Sequence, residues 1–330
     1  MPRKGDRRVI NDLPPDGAIE RFRIRLPHGI ELSCRACGAR GRPVLIFLHG
    51  FPEAAFVWDA LLAHFADPAH GGYRCVAPNL RGYEASSQPL DVGAYRAKHL
   101  AQDISALIDA QAGEQPLAAL IAHDWGGAVA WTVANLIPQR LDRLVIINSP
   151  HPGTFLRELR GNPRQQQASA YMNFLIRPDA ESLLAADDFR RLWEFFTGMG
   201  AGPDRGEPGR PVGAGWLDED LRTRYREVWR QGLTGGLNYY RASPLRPARE
   251  GDPAASAVEL PMSMLTIQVP TRVVWAQGDI ALLPELVDGL DAYVPRLTLV
   301  PVERATHWIV HERPTFIAQQ IAEHLALPTQ

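Results

Sequence analysis

Short apolar runs recur along the chain and alternate with stretches whose apolar residues return every three to four positions. The runs at 44–48, 74–77, 117–122, 144–147, 271–276 and 297–300 are of the type that fills strands buried on both faces. Between them, 94–111 places Leu100, Ile104, Leu107 and Ile108 near helical spacing, and 125–136 and 314–327 are patterned alike. Two earlier segments, 19–26 and 30–36, instead alternate apolar with polar residues and are separated by Pro27-His28-Gly29, which predicts a hairpin at a sheet edge. Strands alternating with helices predict a mostly parallel eight-stranded sheet flanked by helices.

From about Pro150 to about Pro261 this rhythm stops. The stretch is helix-like, rich in aromatics and arginines, and contains a Gly/Pro-rich loop at 200–215, so it predicts an inserted helical cap. The expected organisation is an α/β core over 1–149, a cap over 150–261 and the rest of the core over 262–330. A chain of 330 residues with 45% hydrophobic residues can bury both parts, and no internal repeat is present.

A net charge of -2 provides no overall basic field for nucleic acid, and the basic start (Arg3, Lys4, Arg7, Arg8) reads as a solvated tail. No apolar run approaches the roughly 18 residues of a membrane span, and the N-terminus lacks the apolar stretch of a secretory signal. The expectation is a cytoplasmic protein, either a monomer or a homodimer. Cys34, Cys37 and Cys75 are too few for a disulfide framework, and Cys34-Arg35-Ala36-Cys37 lacks the second pair or histidine cluster of a zinc site. They read as small strand residues, with no metal and no cofactor implied.

Chemistry concentrates in His123-Asp124-Trp125-Gly126-Gly127, between a predicted strand and a predicted helix. With Ala122, Gly126 and Gly127 small, this run has the form of a nucleophile elbow, a turn too tight for side chains that lifts its central residue clear of the sheet. Backbone N–H groups and the helix dipole there favour a negative charge. Asp124 could equally be a simple helix N-cap.

Three other runs fall where the elbow reading needs them. His49-Gly50-Phe51-Pro52-Glu53 follows a strand and has the shape of an oxyanion-hole loop, with the Phe51 and Trp125 amides as donors. Gln277-Gly278-Asp279 and Ala305-Thr306-His307-Trp308 follow the next strands, putting a carboxylate and an imidazole on the edge where open α/β sheets carry their sites. His49 and His123 flank the site as loop-positioning groups, while His151 and His311 suit no definite role. Phe51, Trp58, Trp125, Phe174 and Trp308 suggest an apolar pocket for a small apolar substrate.

A serine at the elbow would need a base before it attacked a carbonyl. A carboxylate needs none, and suits backside attack on a saturated carbon bearing a strained or good leaving group, which gives an alkyl-enzyme ester. His307, oriented by Asp279, is then free to activate water against that ester.

On these motifs, together with Arg81-Gly82-Tyr83, the chain from about residue 20 to 327 resembles the α/β-hydrolase-fold epoxide hydrolases, with haloalkane and fluoroacetate dehalogenases as near relatives. The resemblance implies two cap tyrosines aimed at the epoxide oxygen. Asn238-Tyr239-Tyr240-Arg241 looks like the run carrying one, so Tyr240 takes that position; Tyr171-Met172-Asn173-Phe174, followed by Arg177-Pro178, looks like the segment carrying the other. Phenols can donate to the alkoxide of an opening epoxide, which is far more basic than a phenolate, whereas a departing halide needs no acid. Phe51 stands where many haloalkane dehalogenases have asparagine or glutamate, and Trp125 where fluoroacetate dehalogenases have arginine. Asn148 supplies no acid after the sixth strand. Ala305-Thr306 and Asn79 depart from the epoxide hydrolase pattern without removing a catalytic group. The resemblance therefore implies an epoxide hydrolase, with dehalogenase as the alternative chemistry and a non-catalytic ligand-binding member of the fold as the alternative of another class.

Overall fold

A computed structural model describes residues 19–201 and 215–328, so the basic start and most of the Gly/Pro-rich loop at 200–215 lie outside the described residues. The strands are β1 (Glu20–Arg25), β2 (Glu31–Cys37), β3 (Val44–Leu48), β4 (Arg74–Pro78), β5 (Ala119–His123), β6 (Leu144–Ile147), β7 (Thr271–Ala276) and β8 (Leu297–Val302). They form one sheet in the order β1-β2-β4-β3-β5-β6-β7-β8. The β1/β2 hairpin and the β2/β4 pair are antiparallel, and every other neighbour is parallel. Cys37 faces Cys75 across β2 and β4, all three thiols are free, and burial pushes Cys34 up to about 12 and Cys75 up as well.

The central strands are buried along their whole length because both faces are covered. Side-chain alternation sends Ile46, Leu48, Leu120, Ile146, Val273 and Trp275 to one face, where they pack with α2 (Ala97–Ala112) and α3 (Trp125–Leu136). Leu45, Phe47, Ile121, Val145, Val274 and Ala276 point to the other. There they meet α1 (Asp59–Ala66) and the C-terminal helix at Pro314–Leu325. The α1 helix has no counterpart among the sequence-predicted helices. The α2 helix begins three residues later than its periodicity suggests, because Asp91 accepts from the Gly93 amide and closes a separate 3-10 turn over Val92–Tyr95.

Between β6 and β7 the regular structure is helical: α4 (Pro152–Gly161), α5 (Pro163–Ala168), α6 (Tyr171–Leu175), α7 (Ala180–Gly198, broken at residues 186–189), α8 (Glu219–Trp229) and α9 (Thr234–Ala242), with two short 3-10 turns before β7. His151, left without a role by the sequence, ties the entry of this cap to its exit. Its Nδ1 accepts from Gly153 N–H at 3.2 Å and its Nε2–H donates to the Leu265 carbonyl at 2.8 Å. Both bonds require a neutral ring, and burial pushes its pKa down to about 4. Among the described residues no helix is long and apolar enough to cross a membrane.

The loops after β3, β5, β7 and β8 leave the same edge of the parallel strands, so the four motifs of the sequence arrive at one place. Close backbone approach makes this possible: a Cβ on Gly126 would lie 2.5 Å from the Leu48 carbonyl oxygen and 2.6 Å from that of His49. Gly126→Ala is expected to lower stability by about 1–3 kcal/mol through overpacking, read as a reduced midpoint in denaturant unfolding.

Candidate active site

Asp124 joins β5 to α3 with φ 49° and ψ −123°, a conformation that costs a non-glycine residue energy and persists only where its surroundings enforce it. Its backbone is held by the Ser149 hydroxyl, which donates to the Asp124 carbonyl at 2.6 Å. Its side chain makes no capping bond to α3, so the helix-cap reading fails on geometry. Oδ1 instead accepts from the Phe51 amide at 2.7 Å. Gly50 is required beside it, since a Cβ there would lie 2.4 Å from the Cβ of Asp124. Of the two expected oxyanion donors, only the Phe51 amide bonds to Asp124 among the described residues; the Trp125 amide begins α3 and makes no such bond.

His307 lies across from this carboxylate. Its Nε2 is 3.7 Å from Asp124 Oδ2, and its Nδ1–H donates to Asp279 Oδ2 at 2.7 Å. Asp279 is fully fastened, accepting from the Ala281 and Leu282 amides on Oδ1 and from Asn148 Nδ2 on Oδ2 at 2.8 Å. Burial alone would raise its pKa, but His307, Asn148 and the amides together hold it below the ordinary carboxylate range. Burial works against a charge on His307, yet Asp279, Asp124 and Glu53 outweigh it and raise the imidazole to about 9. The loop carrying His307 is pinned by Glu312, which accepts from Thr306 N–H at 2.9 Å and from its hydroxyl at 2.5 Å.

Asn148, Glu312 and Glu53 are buried neighbours of these groups that sequence reasoning misses or leaves without a role. Glu53 is wholly buried two residues after Phe51. It accepts from His311 Nε2 at 2.6 Å and from the Tyr225 hydroxyl at 2.8 Å, and its other oxygen lies 3.3 Å from His123 Nδ1. Burial opposes its charge, but His311 and His123 more than compensate and hold it well below the usual range. His123 then donates from Nε2 to the His307 carbonyl at 2.9 Å, so both flanking histidines position loops; His49 does so by linking the Gly50 carbonyl to the Leu80 amide. The legible signal is the single carboxylate Glu53 in the otherwise apolar run Phe51-Pro52-Glu53-Ala54-Ala55-Phe56.

Tyr171 and Tyr240 converge on the cavity that holds Asp124, which has a volume of about 160 Å³ and is also lined by Trp125, Met172 and Leu282. Their rings are 6.2 Å apart. Burial first, then Asp124 for Tyr171 and Tyr171 with Asp124 for Tyr240, push both phenols up, which keeps them protonated. Beyond Trp125, Ala128 and Leu245 a further apolar space of about 560 Å³ opens towards Leu260 and Met264. Three of the expected substrate contacts, Trp308, Phe174 and Phe51, are not in the lining of the Asp124 cavity. Trp308 is fully buried, stacks on Phe196 at 4.3 Å and donates to its carbonyl, so it supports the His307 loop from behind and does not line the Asp124 cavity. Phe174 lines a neighbouring space of about 200 Å³ together with Phe51 and Phe195. Trp58 likewise is core, wholly buried against Phe47. Among the described residues no group of three or more His, Cys, Asp or Glu side chains could hold a metal ion.

Comparison with known proteins agrees with this architecture. The family model described as alpha/beta hydrolase fold matches residues 43–314. The AB hydrolase superfamily protein YfhM of Bacillus subtilis is 36% identical over 90% of this chain and 95% of its own length. Epoxide hydrolase 1 of Caenorhabditis elegans is 30% identical over 90% of this chain and 68% of its own. Among solved structures, the Bacillus megaterium epoxide hydrolase in complex with an inhibitor superposes with a TM-score of 0.77 at 28% identity, covering 93% of this chain and all of that one.

Asn148 offers a direct test of how the histidine's partner is held. Asn148→Ala is expected to cost about 1–3 kcal/mol at neutral pH by leaving a buried carboxylate short of a donor. Because the folded-state pKa of Asp279 is depressed, the stability it contributes is present above the ordinary carboxylate range and is lost as the pH falls through the folded value. The difference between the two chains in denaturant titrations should therefore shrink in acid.

Proposed function

The chain belongs to the α/β-hydrolase fold family, in its epoxide hydrolase branch, and we propose that it converts an apolar epoxide and water to a vicinal diol through an ester on Asp124. In this reading Asp124 Oδ2, the oxygen not held by Phe51, attacks a ring carbon from behind. The carbon–oxygen bond of the ring breaks, and Tyr171 or Tyr240 gives its proton to the leaving alkoxide. The cap over 150–261 brings these phenols to the core.

The observation that carries the proposal is the placement of His307, hydrogen-bonded to Asp279 at 2.7 Å and 3.7 Å from the Asp124 oxygen that would react. Its raised pKa closes the proton cycle. The resting pair is charged His307 beside ionised Asp124. Ester formation removes the Asp124 charge, one of the groups that hold the proton on His307, so that proton leaves and restores the phenol by way of solvent. Neutral His307 then takes a proton from water, and the hydroxide attacks the Asp124 carbonyl carbon. Oδ1 becomes the oxyanion under the Phe51 N–H. Collapse expels the diol oxygen, which takes up the carboxyl proton, and leaves Asp124 ionised beside charged His307.

Diol formation on styrene-type and aliphatic epoxides, absent in Asp124→Asn, is the primary test; halide release from matched halides with no diol would overturn the reading. The second step should depend on deprotonated His307, whose pKa falls below its resting value of about 9 once the Asp124 charge is gone, so the fraction of enzyme held as ester during turnover is expected to rise as the pH falls through that lower value. His307→Gln should hold nearly all of it there. Intact-protein mass spectrometry after rapid quenching reads both, and an unmodified His307→Gln chain would contradict the covalent route.

A further inference from the structure

The backbone that presents the Phe51 amide is fastened to the cap through α8. Trp229 donates from Nε1 to the Pro52 carbonyl at 2.7 Å, and Tyr225 donates to Glu53 at 2.8 Å. Immediately before Tyr225, Arg224 pairs with Asp59 at 2.9 Å and lies over the Phe56 ring at 4.3 Å. These residues of α8 hold both the start and the end of the segment 52–59. From the core side, His311 holds the same Glu53 oxygen, with Trp216 stacked flat on it at 4.0 Å. Tyr225, Trp229 and Glu53 are each more than nine-tenths buried, so these bonds form in surroundings where an unmade one is costly. None of these cap side chains touches the Asp124 cavity.

From this we propose that α8 is a positioning element for the oxyanion loop, with Tyr225 and Trp229 setting the Phe51 N–H against Asp124 Oδ1. The assignment rests on the ester mechanism above, which gives it an asymmetric consequence. During ester formation Oδ1 loses negative charge, so a strong bond from Phe51 stabilises the starting carboxylate more than the transition state. During ester hydrolysis Oδ1 gains negative charge, and the same bond strengthens at the transition state. Loosening the loop therefore slows the second step and leaves the first unchanged or faster. General damage to the fold cannot move the two steps in opposite directions.

Tyr225→Phe and Trp229→Phe each remove one bond while keeping an aromatic ring. Asn162→Ala, which removes the side-chain cap of α5, serves as a control that weakens the cap away from the loop. Single-turnover rapid quench with an epoxide substrate separates ester formation from ester decay. In either α8 variant decay should slow by about ten- to a hundredfold, the scale set by a small misplacement of a catalytic donor, with formation no slower and kcat and KM falling together. The control should keep both rates. Equal slowing of both steps, or decay in both variants within about twofold of the unaltered chain, would overturn the assignment while leaving the ester mechanism standing. Failure to detect ester in any chain, His307→Gln included, would remove the mechanism and the assignment with it.

Discussion

Everything in the site depends on one strained turn. Asp124 holds a positive φ between a strand and a helix, and that conformation is possible because Gly50, Gly126 and Gly127 leave room where side chains would collide with Asp124, the end of β3 and Ser149. The turn points the carboxylate away from the helix it would otherwise cap and towards the Phe51 amide. A sheet buried on both faces provides the rigidity that makes this conformation permanent, since relaxing it would displace β3, β5 and α3 together.

Around that carboxylate the structure buries two further carboxylates, and each has several partners. Asp279 has His307, Asn148 and two amides; Glu53 has His311, Tyr225 and the ring of His123. Two carboxylates and the Asp124 charge together raise His307 despite its burial. A proton held so firmly in the resting state is an obstacle to a base, unless the reaction itself removes one of the charges holding it. The proposed covalent use of Asp124 would do that, so the electrostatics support the ester chemistry.

The parts of this that were legible in the sequence are those written in local pattern. Buried strands with continuous apolar runs, the alternating hairpin of β1 and β2, and turns demanding glycine all leave local marks, so Asp124, Asp279 and His307 could be placed on one edge before any coordinates. Long-range roles left weaker marks. Asn148 looked like a missing acid, and proves to be the donor that orients Asp279. His311 had no partner in sequence because Glu53 is 258 positions away. Trp308 and Trp58 resemble pocket aromatics in sequence but are core, because an aromatic beside a motif looks the same whether it faces a cavity or a core. The α1 helix was missed because a short helix offers too few turns for its periodicity to stand out.

The central claim is that Asp124 enters the reaction covalently, and the fate of one oxygen atom tests it most directly. Hydrolysis at the Asp124 carbonyl carbon leaves the oxygen from water on the enzyme and sends Oδ2 out with the product. A single turnover in ¹⁸O-water with enzyme in excess over epoxide should therefore yield unlabelled diol and a peptide containing Asp124 that carries the label. Labelled diol with an unlabelled peptide would mean that water attacks the epoxide itself, and would contradict the account.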